Sequence, residues 1–289
     1  MSLADQKISA QTGLAALCLL AAWATCANSA SAAETDSPWT LSGGAGAVSN
    51  YVTRGLTQTW GGPAAQAEIE AEHDAGFYAG AFTSNVSRNQ FPGGGVEFEL
   101  WTGYEHEFAD NKALALEAVY FAYPGANNSK GNCAAPACPS QTFNTFEGRL
   151  AARWDWFSTR FSYAFTDYFG ASPQTGYQSS TRGTWYWEAN AQYPLPSDQT
   201  WNLVAHAGYT RYRAQFVQPT PNDATNPNYW DWQVGVTKRF SDALRGWRLG
   251  AYYTQASNRD FYDQTRSLVN DSTRNLGGAT VIVEIDWAF

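Results

Sequence analysis

The last eleven residues, Ala279 to Phe289, alternate in polarity. Ala279, Val281, Val283, Ile285, Trp287 and Phe289 are apolar, whereas Thr280, Glu284 and Asp286 are not. A strand repeats every two residues, so this segment offers one greasy face and one ionisable face. The pattern recurs through the chain. Gln66, Glu68, Glu70 and Glu72 alternate with Ala65, Ala67, Ile69 and Ala71, and Glu97, Glu99 and Glu105 alternate with Val96, Phe98, Leu100 and Tyr104. Trp185, Trp187 and Tyr193 oppose Tyr186, Glu188 and Gln192, and Trp230, Trp232, Val234 and Val236 oppose Asp231, Gln233 and Arg239. With strands near 39–54 and 77–87, the alternation predicts about twelve strands.

The connections are as informative as the strands. One alternate set is tight (74–76, 109–112, 155–157, 194–199, 241–246), and the other is long and polar (57–64, 88–95, 124–142, 170–183, 213–228, 256–276). An even strand number with one short rim and one long rim predicts an all-β, transmembrane antiparallel up-and-down β-barrel. Its tight turns are then periplasmic and its long loops extracellular. A soluble lipocalin-like barrel would turn its charges outward. Here the apolar faces carry Trp154, Trp187, Trp201, Trp230, Trp247 and Trp287 near strand ends, where aromatic girdles meet lipid headgroups.

Gly13 to Ala27 is apolar and is followed by Ser29-Ala30-Ser31-Ala32. This predicts a signal peptide over 1–32 and a single barrel domain over 33–289. Cys18 and Cys26 lack the small preceding residue of a lipidation site. The rest of the chain has no apolar run of the ~20 residues that a membrane helix needs. The net charge of −8 argues against a nucleic-acid partner. Cys133 and Cys138 sit in a loop of an exported chain, which predicts a disulfide between them. No histidine lies close to them, so neither a metal nor another cofactor is expected.

The closing segment resembles the last strand of bacterial outer-membrane barrels, whose terminal aromatic is read by the barrel-assembly machinery. The resemblance gives that role to Trp287 and Phe289. Further runs resemble the TorF family of porins, small Gram-negative outer-membrane barrels. They are Ser49-Asn50-Tyr51-Val52-Thr53-Arg54-Gly55-Leu56-Thr57-Gln58, Gly76 to Gly80 with Ser84-Asn85-Val86, and Glu99 to Tyr104. Tyr120 to Gly125, Tyr193 to Pro196 and Asp231 to Val236 complete the set. The resemblance spans nearly the whole chain after residue 32. It implies an outer-membrane location, outer-membrane lipid as surroundings and pore formation, and supplies no catalytic residue.

On the ionisable faces, Glu68, Glu70, Glu72, Glu97, Glu99, Glu105 and Glu117 come from the first half. Arg149, Arg153, Arg160, Arg239 and Arg248 come from the second. The two sets are expected to face each other across the lumen and line a pore for small polar solutes or ions. The acidic excess implies a modest cation preference. The alternatives are a self-filled structural or ligand-binding barrel and an outer-membrane hydrolase. About eight strands are filled by their own side chains and ~16 leave a channel, so twelve lies between. A hydrolase would rest on His206 with Asn202 on its face, because His73 and His106 are expected in periplasmic turns.

Overall fold

The computed structural model describes residues 37–133, 138–196, 200–217 and 225–289; the signal segment expected over 1–32 lies outside them. Twelve strands close into one antiparallel barrel: β1 (Trp39–Val48), β4 (Ala64–His73), β5 (Phe77–Asn85), β6 (Val96–Ala109), β7 (Lys112–Ala122), β8 (Thr145–Trp154), β9 (Phe157–Ala164), β10 (Trp185–Pro194), β11 (Trp201–Arg211), β12 (Tyr229–Arg239), β13 (Trp247–Ala256) and β16 (Thr280–Ala288). Each pairs with its chain neighbour, and β16 returns to β1 with Gly44 opposite Ala288. Two hairpins stand apart from the wall: β2 (Val52–Thr53) with β3 (Leu56–Thr57), and β14 (Thr265–Arg266) with β15 (Thr273–Arg274).

The alternation sets the faces. Leu41, Ile69, Leu100, Leu116, Leu150, Leu203, Val234 and Val283 are exposed on the outside, while Glu97, Glu147, Glu188, Asp231, Glu284 and Asp286 are buried inside. A register slip of one residue would exchange these two sets, so burial of the polar face fixes the pairing. An apolar exterior around a polar interior suits hydrocarbon, because a closed barrel leaves no backbone edge unpaired. Aromatic rings mark both rims. Trp185, Tyr209 and Trp230 sit in succession near the long loops, with centroids 5.7 and 4.5 Å apart. Trp39 meets His73 edge-on at 4.8 Å near the tight turns.

Three details depart from the sequence reading. β1 ends at Val48 and not near residue 54, because the chain then leaves the wall and turns inward. His106 lies within β6, exposed on the outer face, and not in a turn. The mixed parity of the 77–87 segment has a physical cause: Phe77 faces out, but Phe82 is buried inside against Tyr51 of the inward segment, with ring centroids 6.1 Å apart.

Candidate functional site in the barrel interior

The inward segment builds the centre of the site. β2 and β3 are joined by Arg54 and Gly55, both at positive φ (49° and 74°). A two-residue hairpin with positive φ at both positions normally takes Asn, Asp or Gly, and an arginine there is strained. Gly55 is required twice, since a Cβ at that position would also lie 2.3 Å from the Asp231 Cβ. The hairpin's base is tied by short-range polar contacts. The Thr57 hydroxyl donates to Asn50 Oδ1 at 2.6 Å, the Tyr51 N–H donates to Thr59 Oγ1 at 3.2 Å, and the Gln58 N–H donates to the Tyr51 carbonyl at 2.7 Å.

From this tip the Arg54 guanidinium donates to both oxygens of Glu147 on β8, at 2.7 and 2.6 Å, and to the Tyr168 hydroxyl at 2.7 Å. Its carbon stands 4.7 Å from the centre of the Tyr186 ring on β10, a cation–π distance.

The wall arginines Arg149, Arg153, Arg160 and Arg248 are paired locally. Arg149 bonds Glu117 at 2.8 Å and lies 3.6 Å from Glu147, and Arg153 bonds Glu105 at 2.7 Å. Arg160 pairs with Glu188, directly opposite it on the next strand, and Arg248 reaches Glu284 at 2.5 Å and Asp286 at 3.0 Å. The expected confrontation of an acidic half with a basic half is therefore corrected. The arginines pair mainly with near neighbours along the wall, and the second half of the chain carries its own acids. Arg239 lies half-buried at the end of β12 with Arg248 across from it. Glu99 is buried beside Arg54, whereas Glu68, Glu70 and Glu72 are only partly buried, nearer the tight turns. Glu70 accepts from the Trp101 indole at 2.8 Å, and Glu97 accepts from the Tyr123 hydroxyl at 2.6 Å.

His206 joins a second polar cluster. Its Nδ1 is 2.7 Å from Asn190 Oδ1, and its Nε2 is 2.9 Å from Asp231 Oδ1 and 3.0 Å from the Tyr186 hydroxyl. Its partners thus come from β10 and β12, and Asn202 is not among them. Among the described residues no serine, threonine or cysteine side chain bonds His206; its hydroxyl partner is Tyr186. Among those residues no group of three or more His, Cys, Asp or Glu side chains is placed to hold a metal ion.

Between the Arg54 tip and the wall lies a polar cavity of about 50 Å³, bordered by Glu99, Arg149, Arg160, Glu188, His206 and Gln233. That volume suits a few water molecules. Asp231 Oδ2 and Arg160 Nε face the interior without a protein partner. Towards the long-loop rim the interior becomes apolar: Tyr51, Phe82, Phe91, Phe121, Tyr123 and Phe143 form one buried cluster, with Phe91 stacked on Tyr123 at 4.4 Å. Above it the β14–β15 hairpin reaches across to other loops. The Leu268 N–H donates to the Asn89 carbonyl at 2.7 Å, and the Asn132 N–H donates to the Leu268 carbonyl at 2.7 Å. Cys133 and Cys138 are joined by a disulfide beside this contact, their Cα atoms 5.3 Å apart.

Sequence reasoning overlooked Arg54, Glu147, Tyr186 and Asp231 as site residues, although their parity already placed the last three on the inner face.

A closed antiparallel barrel with an apolar exterior and an ion-paired interior defines the transmembrane barrel class. The chain belongs to the family described as "Bacterial protein of unknown function (Gcw_chp)", whose model matches residues 32–289; the TorF resemblance is not what this match names. Among solved structures the chain is similar to the NanC porin, at 10% identity over 86% of this chain and 99% of that one, with a TM-score of 0.50. It is also similar to the KdgM porin, at 9% identity over 86% and 99%, with a TM-score of 0.47. At that identity the likeness to the NanC porin is one of fold alone. No curated protein matches the chain in sequence.

Proposed function

We propose that this protein is an outer-membrane, porin-like channel for passive diffusion of small hydrophilic solutes or ions, in keeping with the TorF resemblance. The observation that carries the reading is the interior itself. Charged side chains line it from Glu72 near the tight turns to Glu147 near the long loops, in a ring of twelve strands. Hydrocarbon has no use for such a wall, and water does. The long loops then face outward from the cell and the tight turns face the periplasm. The barrel surroundings are outer-membrane lipid, and the barrel-assembly machinery is its partner in biogenesis. Inward acids outnumber inward arginines, and this supports a modest cation preference.

The interior is narrow. The aromatic cluster and the Arg54 hairpin fill the outer half, and this favours a self-filled barrel as the second reading. Purified protein in a planar bilayer separates the two. Stepwise ion current supports the channel, and folded barrels that never conduct favour the filled one.

A further inference from the structure

Residues 50–63 contain a single charged side chain, Arg54, and it bonds the far side of the barrel. The segment leaves the wall at the end of β1. Its tip meets β8, which stands five places round the ring through β4, β5, β6 and β7, close to diametrically opposite. The same tip touches β10 through Tyr186 and β12 through Asp231. The hairpin and the charged side chain at its tip thus bridge the lumen.

We propose that Arg54 is the residue that sets passage through the barrel: its pair with Glu147 holds the β2–β3 hairpin across the lumen, and solute passes when that pair opens. The proposal rests on the channel reading given above. Three observations carry it. Arg54 holds a left-handed backbone conformation that arginine does not favour, and such strain persists where surrounding contacts over-determine it. The contacts of its head are directional, two parallel bonds to one carboxylate, a hydroxyl and an aromatic face, which fixes the hairpin in one position. The other polar ties of the segment are neutral: Asn50 bonds Thr57 and Thr59, and backbone bonds join Thr57 to Leu276 and Gln58 to Ser87, so Arg54 makes its one charged link to the wall.

The wall also provides for release. Glu147 keeps Arg149 at 3.6 Å when Arg54 withdraws, so its charge is not left alone in the interior. Asp231, beside Gly55, has an oxygen without a partner that can take the departing guanidinium. Opening therefore exchanges one ion pair for another, and does not strand two buried charges.

The test is single-channel conductance of the full barrel in planar bilayers, with folding checked by heat-modifiable mobility. The variants are Arg54→Ala, Glu147→Gln and a barrel in which residues 50–63 are replaced by a short Gly-Ser turn. The shortened barrel should conduct. Each point variant should raise the time-averaged conductance of the wild type several-fold, and the double swap Arg54→Glu with Glu147→Arg should return it towards the wild-type level. If Arg54→Ala does not fold, the Glu147→Gln barrel gives the same reading with the hairpin's own sequence intact. A conducting shortened barrel with no rise in the folded point variants would overturn the role of Arg54 and leave the channel standing. A folded shortened barrel that carries no current would reject the channel itself.

Discussion

Asn89 and Ser267, 178 residues apart, meet over the mouth of the barrel: the Ser267 hydroxyl donates to Asn89 Oδ1 at 2.9 Å. The Asn270 amide donates to the same oxygen at 3.1 Å, and the adjacent Leu268 N–H donates to the Asn89 carbonyl. Asn89 on the β5–β6 loop thus anchors the β14–β15 hairpin, alongside the bond from Asn132 to the Leu268 carbonyl. Asn89→Ala removes two neutral hydrogen bonds, worth about 1–3 kcal/mol together. Amide hydrogen exchange across residues 265–274 should accelerate, with the wall strands unchanged. Unaltered exchange would show that the hairpin is held elsewhere.

Arg248 bridges two carboxylates on the closing strand. Arg248→Ala leaves Glu284 and Asp286 facing each other unneutralised. Removing one partner of a fully buried pair costs about 3–5 kcal/mol; Arg248 is 28% exposed, so the loss should fall below that range. The urea midpoint of the micelle-bound barrel should drop, and adding Glu284→Gln with Asp286→Asn should restore most of it.

Cys133 and Cys138 should resist thiol labelling in the non-reduced protein. Because Asn132, beside Cys133, bonds the Leu268 carbonyl, reduction should also loosen the β14–β15 hairpin. Full labelling of both cysteines without reductant would contradict the bridge.

Phe289 exchanges backbone hydrogen bonds with Gly43 at 3.3 and 3.0 Å, and its ring lies 5.5 Å from that of Trp287. Its deletion removes the last rung of the β1–β16 seam along with an interfacial aromatic. Folded, heat-modifiable barrel in the membrane should fall sharply, far more than after deletion of a loop residue. Normal accumulation would remove the assembly role assigned to this terminus.

Neutralising Glu68, Glu70 and Glu97 together should move the reversal potential in a salt gradient towards the anion side, most clearly at low salt, where screening is weakest. An unchanged potential would place these carboxylates off the conducting path.

Most of the wall could be read in the sequence, because lipid and water impose opposite demands on alternate residues. The closing strand shows this plainly: Val281, Val283, Ile285 and Trp287 face out, and Glu284 and Asp286 face in. The inward hairpin could not be read in the same way. Val52-Thr53 and Leu56-Thr57 look like a continuation of β1, since burial inside a barrel imposes no single polarity. The usable signal was Arg54-Gly55, a pair that marks a two-residue turn only if arginine accepts a positive φ. The ion pairs were obscured for another reason. Pairing in a barrel follows strand adjacency, so Arg160 finds Glu188 across a ladder rung, while a count by halves of the chain sets them on the same side.

The order of the strands also constrains how the molecule comes together. The Arg54 hairpin is tethered to β1, the first strand made, yet its partners lie on β8, β10 and β12, and the ring is sealed only when β16, the last strand, reaches β1. A hairpin hung from the rim can enter through the mouth or be wrapped as the sheet closes, and in either case its contacts form only once β8, β10 and β12 are in place. Glu147 and Tyr186 thus complete a segment translated long before them.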